Sequence, residues 1–496
     1  MSHPTPYRVR IRMYRQGLGD CFLVSFRGDA GLVHALIDCG TLGAKMTGVT
    51  MEEVVADIRR ETGDHLHLLV ATHEHKDHVS GFGTERAAFD EIRVDRVWVA
   101  WTENPKDPDA RKIQKHKGDL MEAVGLAARA LGAARTADPA EARAMGEMRG
   151  GMEELLGFFG DLPAAGEPFA AALAKTVHEA MSYATGKAGK EGVSFLEPGQ
   201  VLEPDWLPGF RVYVLGPPRS EAALRNLGEH GSAELYHASA QSTELAAALA
   251  FGASEKPFRD FRAGLQGDDR QEFDRRLPFD PRFRVETADE KDCGKRFPSY
   301  HAESEAWRRI DADWLTGAPE LALQLDSYTN NTSLAFAVEM VDDGRVLLFA
   351  ADAQVGNWLS WHELTFRVGE ADGSGRAVTA ADLLRRAVVY KVGHHASHNA
   401  TVTGKGLELM ERDDLVAMIA LDHEVAINKR PHRWEMPAPA LYRRLLEKTG
   451  GRVLRSDIGW ADDDAAERVI PKAEREAGRA GADVDVTNLY VELRLS

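Results

Sequence analysis

A six-residue run, HEHKDH at residues 73–78, carries four potential metal ligands and constrains the fold of this chain more than any other feature. The run directly follows HLHLLVAT, whose apolar residues predict a buried β-strand. A loop at the end of a strand can turn several of its side chains toward one point. Imidazole nitrogens and a carboxylate oxygen are ligands that Zn²⁺ uses in proteins. The run therefore predicts a metal site formed by His73, His75, Asp77 and His78.

A surface loop that is rich in histidine by chance is the alternative interpretation of this run. The strict H-x-H-x-D-H spacing directly after a strand favours the metal site. Zn²⁺ is the expected cofactor, as one or two ions, with Mn²⁺ or Fe as alternatives because oxygen ligands shift the preference toward harder ions. A catalytic ion keeps one position open for water and lowers the pKa of that water toward about 7. Such a site can activate water.

Short apolar segments alternate with helical patterns along the rest of the chain. Residues 7–40 predict three strands, and a helix is predicted from about Thr50 to Glu61, where Thr50 and Glu53 form a capping box. Further strands are predicted in VSFLEPG, FRVYVLGPP, SLAFAVEM, RVLLFAAD, AVVYKVGHH and LVAMIALD. This order indicates a layered α/β domain.

Two segments interrupt the pattern and are predicted to be insertions. Residues 104–192 carry Ala, Glu, Lys, Arg and Met at helical spacing, which predicts a largely helical insertion broken at Pro163 and Pro168. Residues 219–325 are highly charged, with several Pro and Gly breaks, and predict a second, partly irregular insertion. The core of the fold is then expected to comprise residues 1–103, 193–218 and 326–496.

Composition and charge narrow the cellular setting and the partners. The 496 residues carry a formal net charge of −17, and an acidic surface repels phosphate backbones, which disfavours a broad, non-specific nucleic-acid clamp. A local basic groove would escape this argument. No segment reaches the roughly 18–20 apolar residues of a membrane span, and no signal-peptide pattern is visible. Three cysteines are too few for a disulfide framework. A cytoplasmic protein with no membrane association is expected.

Several motifs of the chain, taken in order, resemble those of a known superfamily. HEHKDH matches the H-x-H-x-D-H signature of the metallo-β-lactamase fold superfamily. The remaining motifs resemble the hydrolase domain of the ComEC/Rec2 competence proteins. They are QGLGDC and LIDCG (16–21 and 36–40), the strand-like NNTSL (330–334), LFAAD (348–352), KVGHHAS (391–397) and NKRPH (428–432). Two motifs depart from the family pattern, since Ala351 and Pro431 each replace a glycine.

The resemblance implies an αββα sandwich in which residues 1–103 and 326–496 form the two halves, with a one- or two-metal site at the strand ends. It implies that His73 and His75 serve one metal position and that Asp77 and His78 serve the other. Asp352 stands where the family has a metal-bridging aspartate, with a strand-end cap as the alternative role. Many superfamily members carry a further histidine ligand, which VYVLGPP lacks. The number of ions that the site binds, one or two, therefore stays open.

The resemblance also suggests roles for residues around the ligands. Of the His394 and His395 pair, His394 is the preferred ligand, and His395 is expected to bind substrate or to move a proton. Asp38 is expected to steer a ligand or a turn rather than to be a ligand itself. His432 is either an active-site histidine or a loop histidine. Residues expected to bind substrate are Lys391, Asn330 and Ser397, while the basic residues Lys391, Lys429, Arg430 and Arg433 either hold phosphate or are ordinary surface charges.

Three functions follow from these interpretations. The first is a phosphodiesterase or nuclease that uses a metal-activated water, with a nucleic acid or nucleotide as substrate and Asp77, His395 and His432 as catalytic residues. The second is a hydrolase of a small ester, lactone or thioester, which suits the acidic surface better. The third is a metal-bearing interaction or sensor module whose two insertions dock a protein partner or drive self-association.

Overall fold

Most of the chain outside the second predicted insertion is described by the structure, which is a computed structural model. The described residues are 7–28, 31–133, 139–160, 169–226, 318–369, 375–399, 401–428 and 434–496. Residues 227–317, most of the second predicted insertion, lie outside them, as do His432, Lys429, Arg430 and Arg433.

The strands of the described part are numbered here in chain order. They are β1 (Val9–Tyr14), β2 (Phe22–Gly28), β3 (Gly31–Ile37), β4 (His65–Ala71), β5 (Arg93–Ala100), β6 (Val193–Leu196), β7 (Val201–Leu202), β8 (Phe210–Val214), β9 (Phe336–Met340), β10 (Val346–Phe349), β11 (Thr365–Val368), β12 (Arg376–Thr379), β13 (Ala387–Lys391), β14 (Val416–Ile419), β15 (Val453–Arg455), β16 (Gly459–Trp460), β17 (Asp483–Val486) and β18 (Tyr490–Leu495).

The α-helices of the described part are numbered in the same way. They are α1 (Met51–Thr62), α2 (Lys76–Thr84), α3 (Arg86–Asp90), α4 (Pro108–Ala133), α5 (Pro139–Leu156), α6 (Phe169–Gly186), α7 (Glu221–Leu224), α8 (Ala318–Asn331), α9 (Val355–Ser360), α10 (Ala380–Arg385), α11 (His423–Ile427), α12 (Pro439–Thr449), α13 (Asp464–Glu467) and α14 (Lys472–Gly478). Among the described helices, none combines the length and the apolar character needed to cross a membrane.

The strands form two mixed eight-stranded sheets and a two-stranded ribbon, β11–β12. The first sheet has the order β17-β18-β1-β2-β3-β4-β5-β6, and the second has the order β16-β15-β14-β13-β10-β9-β8-β7. Strands β3 to β6 are parallel to one another, as are β10, β13, β14 and β15. This arrangement confirms the predicted α/β class.

Side-chain alternation explains how the two sheets share one core. Ile11 of β1 and Val24 of β2 lie in the same buried cluster as Phe336 of β9 and Leu347 of β10. Along β1 the residues between the apolar ones, such as Arg12, face the opposite side, because successive strand side chains alternate. One face of each sheet therefore packs against the other sheet.

Helices cover the outer face of each sheet. Val54 of α1, Phe82 of α2 and Met181 of α6 pack with Leu69 of β4 on the first sheet. On the second sheet a corresponding cluster joins the strands to α9, α10 and α12 through Trp358, Leu383 and Leu445. Since α6 belongs to this outer layer, part of the first predicted insertion packs directly on the core.

The first helix matches its predicted capping signal. Thr50 caps α1, its hydroxyl accepting from the Glu53 backbone N–H, while the Glu53 carboxylate accepts from the Thr50 N–H at 2.8 Å. Gly63 ends the helix in a left-handed conformation with φ of 61°. The predicted capping box is therefore confirmed.

Other predictions require correction. NNTSL does not form a strand, because Asn330 and Asn331 end α8 and β9 begins only at Phe336. The helical character predicted for residues 104–192 needs no correction, since α4, α5 and α6 lie there, and the predicted breaks at Pro163 and Pro168 lie outside the described residues. Strands β17 and β18 carry no expectation from the sequence, yet β18 pairs with β1 and extends the first sheet.

Candidate metal centre

Four buried side chains from distant parts of the chain converge between the two sheets. Each of Asp77, His78, Asp352 and His395 offers a ligand atom, and these atoms lie within 4.8 Å of one another. His78 Nε2 is 3.2 Å from Asp352 Oδ2, and His395 Nε2 is 2.8 Å from Asp77 Oδ2. The four side chains are at most 1% exposed. We refer to them as the four-residue cluster.

The HEHKDH run enters the cluster through a change of secondary structure. Strand β4 ends at Ala71, His75 is the N-cap residue of α2, and Asp77 and His78 occupy the first turn of that helix. This turn directs both side chains toward the second sheet, where they meet Asp352.

Glycines of the early motifs allow the chain to pass closely behind this turn. A Cβ on Gly40 would lie 2.4 Å from the backbone nitrogen of His78. A Cβ on Gly19, whose φ is +153°, would lie 2.7 Å from the backbone carbonyl oxygen of Asp77. The Asp20 N–H donates to that same Asp77 oxygen at 2.9 Å. The QGLGDC and LIDCG motifs therefore fix the backbone that carries two candidate ligands.

Asp352 reaches the cluster from the end of β10. The residue before it, Ala351, has a φ of 48°, in the left-handed region that favours glycine. The resembled family has a glycine at this position, which fits the conformation seen here. The Asp352 Oδ1 accepts from the His394 backbone N–H at 2.9 Å, which leaves Oδ2 directed at His78.

The histidine pair after β13 is ordered differently from the expectation. His394 Nδ1 lies 2.8 Å from Ser397 Oγ, outside the four-residue cluster. His395 Nδ1 donates to the Ala420 carbonyl at 2.7 Å, which leaves Nε2 directed at Asp77. The preference for His394 as the ligand is therefore corrected, since the geometry favours His395.

His73 and His75 form a second group beside the cluster. Their nitrogens Nε2 and Nδ1 are 3.1 Å apart, and the ring centroid of His73 is 4.2 Å from that of His78. His75 packs edge-on against Phe159 with centroids 4.8 Å apart, and Phe158 lies on its other side at 5.4 Å. The two histidines therefore lie next to the four-residue cluster, and the first metal position that the resemblance implies for them stays a prediction.

Asp38 supports His78 from behind. Its Oδ1 accepts from the Thr72 N–H at 2.8 Å, and its Oδ2 accepts from the Thr72 hydroxyl at 2.7 Å and lies 2.8 Å from His78 Nδ1. A carboxylate at Nδ1 orients an imidazole and directs its Nε2 lone pair toward a metal. These contacts are the ones expected of a residue that steers a ligand.

The electrostatics of the cluster are those of a cation site. Burial lowers the pKa of His78, but the carboxylates of Asp352, Asp20, Asp38 and Asp77 outweigh it and raise that pKa well above its usual value. Burial raises the pKa of Asp352, yet His78 outweighs it and holds this pKa well below its usual range.

The Lys391 ammonium lies among these carboxylates rather than at a surface. It is 3% exposed, pairs with Asp20, lies 3.6 Å from Asp352 Oδ1 and donates to the Ala351 carbonyl at 3.1 Å. Four buried carboxylates outnumber the cationic groups among them, which are Lys391 and the two histidines with raised pKa values, His78 and His395, and a divalent ion would take the place of the histidine protons.

Buried acceptor atoms without hydrogen bonds support a metal in this position. Among the described residues, three such atoms belong to this region, namely His75 Nε2, Asp77 Oδ1 and Asp20 Oδ1. His78 Nε2 and Asp352 Oδ2 form no hydrogen bond with any other described group and lie 3.2 Å from each other. Buried polar atoms are rarely left unsatisfied, because desolvation without a partner is costly. Nitrogen and carboxylate donors in this number fit Zn²⁺, or a harder ion where oxygens dominate.

One carboxylate near the site was missed by sequence reasoning. Asp326 of α8 is 6% exposed and accepts from the Asn330 amide at 3.1 Å. Burial raises the pKa of Asp326 to about 6, with opposing and reinforcing contributions from His394 and Asp352. The i, i+4 spacing of Asp326 and Asn330 is the signal that could have found it, had a helix been predicted there.

The predicted helical insertion also supplies partners for the motif loop. Lys117 of α4, which is 1% exposed, contacts the Glu74 carboxylate at 3.0 Å, and His178 of α6 lies 3.2 Å from the same carboxylate. Phe158 accepts from the Lys76 N–H at 2.7 Å. These segments therefore hold the loop that carries the candidate ligands.

The three residues predicted to bind substrate have different surroundings. Ser397 and Asn330 are buried near His394 and Asp326 respectively, and Lys391 lies inside the carboxylate group.

No family model matches this chain, and no curated protein matches it.

Proposed function

We propose that this protein is a metal-dependent hydrolase of the metallo-β-lactamase fold superfamily that uses a metal-activated water, with phosphodiesters as substrates. The observation that carries the proposal is the convergence of Asp77, His78, Asp352 and His395, whose ligand atoms lie within 4.8 Å of one another in a buried, acidic pocket. Two sheets packed face to face with helices outside each are compatible with the αββα sandwich, and the order of motifs supports the competence-type branch.

The residues divide the work as follows. His73, His75, Asp77, His78, Asp352 and His395 would hold one or two Zn²⁺ ions. A bound ion supplies an acidified water and stabilises negative charge on the oxygens of the reacting group. Asp38 keeps His78 in the tautomer with a lone pair on Nε2, and Lys391 limits the repulsion between Asp20 and Asp352.

Proton transfer falls to residues at the margin of the cluster. His394 is 7% exposed, and its Nδ1 lies close to the Ser397 hydroxyl. Burial raises the pKa of Asp326 to about 6, so this carboxyl can be protonated near neutral pH. Either group can deliver a proton to a leaving oxygen, with His394 as the first choice because its backbone N–H donates to Asp352 and so places the residue next to the cluster.

The test combines metal analysis with a substrate panel. Purified protein is analysed for Zn, Mn and Fe and then incubated with bis-p-nitrophenyl phosphate, single-stranded DNA and RNA. We expect turnover that falls at least about 100-fold in Asp352→Asn and in His75→Gln, because each removes a metal ligand. His362→Gln is the matched control, since His362 contacts the Lys405 carbonyl and belongs to none of the groups of candidate ligands. Absence of metal, or turnover that survives both ligand variants, contradicts the proposal.

A second candidate function is favoured by the burial of the site. The six candidate ligands are at most 1% exposed, and Phe158 and Phe159 pack near the His75 ring. A small ester, lactone or thioester enters such a pocket more readily than a polymer. Hydrolysis of p-nitrophenyl acetate or an acyl thioester by the same loaded protein, without phosphodiester cleavage, would decide for this alternative.

A further inference from the structure

A second group of potential ligands lies at the opposite end of β4 from the HEHKDH run. His65 and His67 are two residues apart on this strand, so both side chains stand on one face of the sheet. Their ring centroids are 4.2 Å apart. In the register of the parallel pair β4–β5, Leu66 pairs with Val94 and Leu68 with Arg96, which sets Asp95 across from His67.

The distances within this group are those of a metal-binding set. His65 Nε2 is 2.9 Å from Asp95 Oδ2, and one ligand atom from each of His65, His67 and Asp95 lies within 4.8 Å of the other two. Two imidazoles and one carboxylate form a donor set for borderline divalent ions, with water completing the coordination. The strands hold the side chains in place, so little ordering is needed on binding.

The group is open to solvent, unlike the four-residue cluster. The side chains of His65 and Asp95 are each 25% exposed, and His67 is half-buried. The Arg93 guanidinium contacts both ring nitrogens of His65, at 3.0 and 2.7 Å, and lies 3.5 Å from Asp95. The Arg93 guanidinium thus contacts two of the three donor residues, and a bound ion would displace it toward solvent, where 69% of its side chain is already exposed.

Binding of an ion by His67 would replace one hydrogen bond that this side chain accepts. The His34 backbone N–H lies 3.2 Å from His67 Nδ1, a long contact that coordination by His67 would shift or replace. His34 lies nearby, with its ring centroid 6.1 Å from that of His67, and its Nδ1 contacts Ser25 Oγ. The ligand atoms that lie within 4.8 Å of one another come from His65, His67 and Asp95.

We propose that His65, His67 and Asp95 form a second, solvent-accessible site for a borderline divalent ion such as Zn²⁺ or Cu²⁺. The site joins β4 to β5 near their amino ends. His73 follows His67 by six positions, most of them in β4, so these two histidines lie at most roughly 20 Å apart. Occupancy here is independent of the proposed hydrolase centre, so either can fail without the other.

The experiment measures how many ions the full chain binds. Metal-free protein is dialysed against graded Zn²⁺ and analysed for bound metal, and Cu²⁺ electron paramagnetic resonance reports nitrogen ligands directly. The double variant His65→Gln/His67→Gln is expected to bind one Zn²⁺ fewer per chain and to lose one nitrogen-coordinated Cu²⁺ signal. His362→Gln is the control and is expected to bind as the unaltered chain does.

A second variant covers the case in which the double substitution disturbs the sheet. Asp95→Asn keeps both imidazoles and the size of the side chain, and is expected to weaken the same binding step at least about 10-fold. Circular dichroism verifies that each variant is folded. Unchanged stoichiometry and an unchanged Cu²⁺ spectrum in the folded double variant, or unchanged affinity in folded Asp95→Asn, would overturn the proposal.

Discussion

Asp38 shows how much of the metal centre depends on a single side chain. It accepts two hydrogen bonds from Thr72 and contacts His78 Nδ1 at 2.8 Å, while its own backbone has a φ of 55°. Asparagine tolerates this left-handed conformation and has the same size, so Asp38→Asn separates charge from shape.

We expect Asp38→Asn to fold and to bind Zn²⁺ about 10–100-fold more weakly. The amide NH₂ facing His78 would require a lone pair on Nδ1, and the proton would then move to Nε2, where a metal needs the lone pair. Competition with a chromophoric chelator measures the affinity. Asp343→Asn, a surface substitution beside Arg345, is the control. Equal affinities in both variants would show that Asp38 does not act through His78.

Lys391 is the second residue whose removal gives a specific result. Its ammonium is buried between Asp20 and Asp352, so Lys391→Met leaves carboxylates without a counter-charge. We expect the metal-free variant to lose about 3–5 kcal/mol of unfolding free energy, and added Zn²⁺ to restore part of it. Urea unfolding with and without Zn²⁺ measures both effects. Lys112→Met, at a 77% exposed position, should change neither.

At the scale of elements, Glu339 ties β9 to its neighbours in the second sheet. Its carboxylate accepts from Tyr213 of β8 at 2.6 Å and from Arg211 at 2.8 Å, and it pairs with Arg386 before β13. Burial raises the pKa of Glu339, but the hydrogen bonds from Tyr213 and Arg386, with the arginine charges, outweigh it and lower this pKa below 4.5.

The lowered pKa of Glu339 determines how its contribution to stability changes with pH. A lowered folded-state pKa contributes stability that is present above the unfolded value, near 4.5, and is lost as pH falls through the folded value. We expect Glu339→Gln to lower the free energy of unfolding by roughly 2–3 kcal/mol at neutral pH. The difference from the unaltered chain should shrink below about pH 4.5. Urea unfolding from pH 3 to 7 measures it, with exposed Glu52→Gln as the control. A difference that is constant with pH would contradict this origin.

At the scale of the whole molecule, the metal centre is also a junction between the two sheets. Asp77 and His78 follow β4 of the first sheet, whereas Asp352 and His395 follow β10 and β13 of the second. Without a counter-ion the facing carboxylates repel one another. A bound ion therefore stabilises the packing of both halves.

Chelation should for this reason lower the thermal midpoint. An ion at 1,000 times its dissociation constant contributes about 4 kcal/mol, which EDTA removes. Differential scanning calorimetry with and without EDTA measures the shift, and Asp352→Asn should show almost none. A shift of equal size in Asp352→Asn would place the stabilising ion elsewhere, for example at His65, His67 and Asp95.

Local sequence determined the parts of the fold that depend on neighbouring residues. The alternation in VRIRMY, the capping box at Thr50 and the apolar run before His73 each predict an element from interactions within a few residues. The spacing of HEHKDH likewise predicts a set of ligands, although the expected loop proves to be the start of α2, which carries Asp77 and His78 in its first turn.

Only the tertiary structure decided which distant residues complete the site. His394 and His395 are adjacent and chemically identical, and the Ala420 carbonyl, 25 residues away, directs His395 Nε2 to Asp77. The sequence left Lys391 as either a phosphate-binding residue or a surface charge, whereas the fold buries it beside Asp20 and Asp352. Such roles depend on burial and on contacts between the two sheets, which no local pattern encodes.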